Sequence, residues 1–223
     1  RGLRLRPAVA VVAGCALVVT PWLARNWIVF DRPAAISTNE GGLLAGANCD
    51  AAYYSQLIGT WACFPRNDPA WGTNEALISS KQRRRAIDYA GDHAGRVPAV
   101  VGVRVLRVWD LWDPRDAANF EAGIADRHIR AQQASMLALY LMAPLAVAGA
   151  VVLRRRGERL WLLAAPVLLV TLVAATSYGS TRFRVAAEIP IVVLGSVALV
   201  AGWDRLRARR AAGSSPPKVA LGS

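Results

Sequence analysis

Four runs of about twenty residues carry almost no charge and are separated by blocks dense in arginine, an alternation that leaves few folds open. A bilayer core of about 30 Å needs roughly 20 apolar residues in a helix, because hydrocarbon offers no partner for an unpaired backbone group. The runs cover residues 7–24, 134–153, 160–178 and 185–203; the second and third contain no charged residue and the fourth only Glu188. Trp22, Trp161, Tyr178 and Trp203 stand at their ends, where an aromatic ring keeps its body in hydrocarbon and its polar tip in water. With 54% of 223 residues hydrophobic, the 19% that are charged must be segregated for the chain to be stable, as they are here. The net charge of +12 raises the question of nucleic acid, but these arginines bracket apolar runs instead of clustering on a soluble face. The expected fold is a mainly α, polytopic membrane protein with four transmembrane helices and a large external, partly helical loop between the first and second.

Orientation follows from the arginines and lysines of the short flanking segments, which resist translocation. Twelve lie on one side: Arg1, Arg4 and Arg6, then Arg154, Arg155, Arg156 and Arg159, then Arg205, Arg207, Arg209, Arg210 and Lys218. The segment 25–133 instead balances thirteen basic residues against twelve acidic ones. Both termini are therefore expected in the cytoplasm, residues 25–133 outside in a plasma-membrane setting, and residues 204–223 as a disordered cytoplasmic tail. The external turn between the last two spans covers Gly179 to Arg184. The chain starts with Arg, and no cleavable signal peptide precedes the first span, so a longer protein is expected.

The loop is too long for bare coil. Residues 26–72, rich in Gly, Asn, Asp, Pro and aromatics, predict a turn-rich segment with short extended pieces such as Ala34 to Ser37. Glu75 to Ala90 reads as a polar helix, and Asp116 to Gln133 as another leading into the second span. Ala99 to Trp112 is apolar, with Arg104 and Arg107 three apart, a pattern that suits a helix lying on a membrane surface or an ordinary amphipathic helix of a folded subdomain. Cys49 and Cys63 share the loop, and export would permit a disulfide; two unpaired buried thiols are the alternative. His93 and His128 lack ligand spacing, so no metal site is expected in this part. Gly41, Gly42 and Gly46 lack the Lys-Ser/Thr of a phosphate loop.

The remaining candidates are arginines where the orientation rule disfavours them. Arg25 follows the first span, and Arg182 and Arg184 occupy the external turn. A guanidinium fork binds phosphate through paired, charge-assisted hydrogen bonds, so Arg25, Arg104, Arg107, Arg182 and Arg184 are candidates to hold a membrane-lipid phosphate. Glu188, four residues after Arg184, is placed to support it across one helical turn. Pairing with the loop's acids, or snorkelling to bulk lipid, is the bland alternative for each.

Thr20-Pro21-Trp22-Leu23-Ala24-Arg25-Asn26, then Ile36-Ser37-Thr38-Asn39-Glu40-Gly41-Gly42 and Ala45-Gly46-Ala47-Asn48-Cys49-Asp50, resembles the post-helix segment of bacterial GT-C superfamily membrane glycosyltransferases. The nearest likeness is to family-39-like, aminoarabinose-transferase-like members of actinobacterial type. Asp92 to Pro98, Arg104 to Trp109 and Tyr178 to Arg184 follow in the same order, so the likeness covers nearly the whole chain. The resemblance implies a transferase that passes a sugar from a polyprenyl-phosphate carrier to an acceptor outside the cell. It places the catalytic acidic loop, with a divalent metal, in the N-terminal half upstream of Arg1, so no catalytic residue is assigned in this chain. Arg25, Arg182 and Arg184 correspond to lipid-phosphate contacts; Asp50, Asp110, Asp113 and Glu121 are candidates for acceptor recognition. Two other readings remain: a transporter or flippase of a lipid-linked anion, against which the spans 134–153 and 160–178 offer little beyond Thr171 and Thr176, and a non-enzymatic membrane scaffold.

Overall fold

A computed structural model describes residues 5–32, 34, 37–64, 68–125 and 128–213. Arg1, Arg4 and Lys218 from the orientation count lie outside the described residues, as do Ala35 and Ile36 of the expected extended piece and residues 214–223 of the expected tail. The described residues form helices and no strands. They fall into two units, Arg1–Val103 and Arg104–Ser223.

In the first unit, α1 (Leu5–Phe30) carries the first apolar run and continues past it, so Arg25 and Asn26 are helical and not the start of a loop. Most of its large apolar side chains, from Val9 to Val29, face outward, as hydrocarbon solvent allows. The turn-rich segment resolves into two short helices, α2 (Glu40–Ala47) and α3 (Asp50–Tyr54). A longer helix, α4 (Glu75–Asp92), starts at Asn74, whose side chain accepts from the Leu77 amide at 3.0 Å and donates to the Phe30 carbonyl at 2.9 Å. One asparagine thus caps α4 and fastens it to the end of α1. A disulfide joins Cys49 to Cys63. The Gly46 carbonyl accepts from the Ala62 and Cys63 amides, and the core is Ala52, Tyr53, Ile58, Val100 and Val103.

Val100 and Val103 belong to α5 (Val97–Val108), which crosses from the first unit into the second. The expectation of a surface-lying membrane helix over Ala99 to Trp112 is corrected here. Val100, Val103, Arg104, Arg107 and Val108 are all buried, so protein covers the face that lipid was expected to meet.

The second unit continues with α6 (Pro114–Ala125), α7 (Ile129–Arg155), α8 (Trp161–Thr176) and α9 (Val185–Gly213), with a 3₁₀ turn at Thr181–Arg184 before α9. The single polar helix expected over Asp116 to Gln133 is two: α6 ends at Ala125, and α7 has begun by Ile129. α7 and α9 run parallel, since Gln132 meets Thr181, Ser135 meets Arg184 and Gly149 meets Leu194 in order. α8 therefore runs the opposite way, as its short connections require. Residues 204–213, expected as tail, are the last turns of α9, where good helix formers continue the pattern and basic side chains complement the helix C-terminus.

Among the described residues, three helices are long and apolar enough to cross a membrane: Val9–Phe30, Ile129–Arg155 and Thr181–Ala211. These mark a membrane-embedded protein. The run at 160–178 forms α8, apolar but only 16 residues, or about 24 Å at 1.5 Å per residue. Close packing of α7 on α9 depends on Gly149, where any Cβ would run into the Leu194 carbonyl. Small residues let membrane helices approach in this way. Gly149→Leu is expected to part the two helices and lower the stability of the second unit by about 1–3 kcal/mol, the usual cost of overpacking, measured by thermal unfolding in detergent.

Candidate functional site

The buried polar residues of the second unit, Arg104, Arg107, Asp110, Gln132, Ser180 and Thr181 among them, gather at one end of the α7–α9 pair, around Arg184. The 3₁₀ turn that carries Arg184 is capped by Ser180, whose hydroxyl accepts from the Arg182 amide at 3.4 Å. Its placement on α5 depends on Gly179. A Cβ there would lie 2.6 Å from the Arg104 carbonyl oxygen and 2.7 Å from the Arg107 Cβ. Glycine therefore allows Tyr178-Gly179-Ser180 to lie directly on the helix that carries two further arginines.

Arg184 is 1% exposed and spends its guanidinium on three side chains. It is ion-paired with Asp110, which is 2% exposed; it donates from Nε to Glu188 at 3.0 Å and from Nη2 to Ser135 Oγ at 3.2 Å. Asp110 sits in the turn after α5 with φ 54°, a left-handed conformation that aspartate tolerates better than most residues. Tyr140 from α7 donates its hydroxyl to the Asp110 carbonyl. Gln132 donates to Thr181 Oγ1 at 3.0 Å, and Trp109 Nε1 to Thr171 at 3.3 Å. α5, α7, α8 and α9 are thus joined by polar contacts near one end.

Electrostatics follow from burial. Desolvation pushes the Asp110 carboxyl upward, against the pull of the Arg184 guanidinium. Desolvation likewise lowers Arg107, opposed by Asp113, Asp116 and Glu121. Arg104 is buried too and donates to the Ala175 carbonyl at 3.5 Å. Arg182 differs: its side chain is exposed and reaches the Tyr178 hydroxyl at 3.5 Å. The arrangement is an exposed guanidinium on a turn anchored by a buried one.

Of the expected phosphate ligands, the second unit brings Arg104, Arg107, Arg182 and Arg184 around one turn, with Glu188 on Arg184. Arg25 belongs to the first unit, where it is exposed, donates to Asn26 Oδ1 at 3.1 Å and lies over the Trp22 ring at 5.2 Å. Sequence reasoning did not anticipate Asp110 as the partner of Arg184, or Ser135, Tyr140 and Gln132 as contributors. The available signal was a carboxylate lodged between Trp109 and Leu111 at the end of an apolar run. Asp50 accepts from the Tyr89 hydroxyl at 2.7 Å, and burial together with that bond raises the Tyr89 phenol. Among the described residues no group of three or more His, Cys, Asp or Glu side chains could hold a metal ion. Compared with protein-family models, curated proteins and solved structures, the chain matches none.

Proposed function

We propose that this chain is the C-terminal, membrane-embedded part of a polyprenyl-phosphate-dependent glycosyltransferase, and that Arg182 grips the carrier's phosphate. The carrying observation is the contrast between Arg182 and Arg184. The buried ion pair of Arg184 with Asp110 fixes the turn, which leaves Arg182 two residues earlier exposed at the end of two parallel apolar helices. In this reading α8 completes a fourth span, the turn faces the outside, and Arg104 and Arg107 position that turn through the contact at Gly179. The Cys49–Cys63 disulfide supports an exported first-unit segment, because disulfides persist in oxidising compartments.

The reaction is substitution at the anomeric carbon: the bond to the carrier's phosphate oxygen breaks as the acceptor oxygen or nitrogen bonds to the sugar. Arg182 stabilises the negative charge that develops on the departing phosphate, the role for which a preorganised cation is suited. The general base and any divalent metal belong to the upstream half, and no step is assigned to them here. Transport is less favoured, because the Thr171 and Thr176 hydroxyls are spent on carbonyls of their own helix.

Arg182→Ala in the full-length protein is expected to raise the donor KM about tenfold, equivalent to about 1.4 kcal/mol of lost charge-assisted bonding, while thermal unfolding stays unchanged. Transfer assays with a polyprenyl-phosphate sugar would check this. An unchanged donor KM would remove the assignment.

A further inference from the structure

We propose that a cleft in the first unit, between the end of α1 and α4, binds one sugar ring. The cleft encloses about 390 Å³, and its walls include Leu23, Trp27, Ser37, Thr38, Glu40 and Arg83. That size falls in the range of about 300–1,000 Å³ typical of small-molecule sites. A sugar ring presents a face of C–H groups and a rim of hydroxyls, and the cleft offers a counterpart to each.

Trp27 is 62% exposed and presents an indole to the C–H face. Glu40 and Arg83 form an ion pair at 3.5 Å with each side chain about half exposed, so an entering ligand can reach both charges. The carboxylate accepts from ring hydroxyls and the guanidinium donates to them, both through charge-assisted bonds. Ser37 Oγ already accepts from the Asn39 amide and Ser79 Oγ from the Gly41 amide, which leaves their hydroxyl protons to donate. Thr38 donates to Glu75 at 3.0 Å and keeps its lone pairs to accept.

The wall is held by a close approach. Any Cβ at Gly41 would strike the Ser79 carbonyl, so glycine lets α2 lie against α4 and sets Glu40 beside Arg83. Other ligands fit less well. An acyl chain would leave the ion pair and the Ser37, Thr38 and Ser79 hydroxyls against hydrocarbon, and a bare phosphate would meet the Glu40 carboxylate.

The ring can come from a lipid-linked donor or from an acceptor glycan; that role rests on the glycosyltransferase reading, whereas ring binding rests on the cleft alone. The test is saturation-transfer NMR on the full chain in lipid nanodiscs free of sugar detergents. The probes are methyl α-D-mannopyranoside, methyl α-D-glucopyranoside and methyl α-D-arabinofuranoside. Transfer to the ring protons of at least one glycoside is expected, reduced about fivefold or more by Trp27→Ala and by Glu40→Gln. Trp22→Ala, on the same helix but outside the cleft, should leave it intact. Absence of transfer to all three probes, or transfer untouched by Trp27→Ala in protein that unfolds normally, would overturn the site. In the full-length protein, Trp27→Ala raising only the acceptor KM would place the acceptor ring here, and raising only the donor KM would place the donor's. Glycoside binding that depends on Trp27 in a full-length protein without transferase activity would remove the enzyme reading and leave the sugar site standing.

Discussion

Asp110→Ala is expected to lower the stability of the second unit by about 3–5 kcal/mol, because it strands the Arg184 guanidinium in a site only 1% exposed. Glu188 and Ser135 would remain as partners, but Glu188 is partly exposed and Ser135 is neutral, so neither replaces the buried carboxylate. Part of the effect would be conformational, since alanine resists the φ of 54° at this position. Asp110→Gly separates the two contributions: it accepts the backbone and still removes the charge. Combining Asp110→Ala with Arg184→Met should recover most of the loss, because an apolar replacement for both ions leaves no uncompensated charge. Thermal unfolding of the full chain in detergent, followed for single and double variants, provides the measurement. Equal stability of Asp110→Ala and the parent, or no recovery in the double variant, would show that the pair does not anchor the turn. Arg184→Met alone should also move the Arg182 turn and so weaken donor use together with stability, unlike Arg182→Ala.

The second large effect is expected in the first unit. Cys49→Ser with Cys63→Ser, or reduction of the bond, should lower stability by about 3 kcal/mol, the chain-entropy value for a cross-link of this span. The bond holds the end of α2 to the segment after α3, next to the carbonyl of Gly46 that accepts two amides. Its loss should loosen the α2 edge and with it Glu40. Alkylation in SDS-denatured protein, before and after reduction, reports the bond directly: Cys15, within the apolar run of α1, should react without reduction, and the other two only after it. Three reactive thiols in protein taken from membranes, or a stability change under about 1 kcal/mol, would contradict both the bond's contribution and the exported placement inferred from it.

Much of the architecture was legible because a bilayer constrains sequence severely. The runs at 7–24, 134–153 and 185–203 lie inside α1, α7 and α9, since every backbone group in hydrocarbon must bond within its own helix. The polar helix from Glu75 was equally readable from its helical, polar pattern. Boundaries were harder. α1 runs on through Arg25 to Phe30, and α9 through residues 204–213, because charge ends a hydrophobic run without ending a helix. Burial of α5 was not readable at all. Its Val and Arg pattern fits a membrane surface and a protein interior equally well, and only partners distant in sequence decide between them.

Local chemistry, fixed by neighbours in the chain, therefore determined the membrane helices, their arginine-rich flanks and the list of candidate cations. Tertiary structure decided what each cation does, since Asp110 and Ser135 come to Arg184 from 74 and 49 residues away. Charge is a property of a residue, but exposure is a property of the packing around it, and so of two arginines two positions apart one became an anchor and the other was left facing outward.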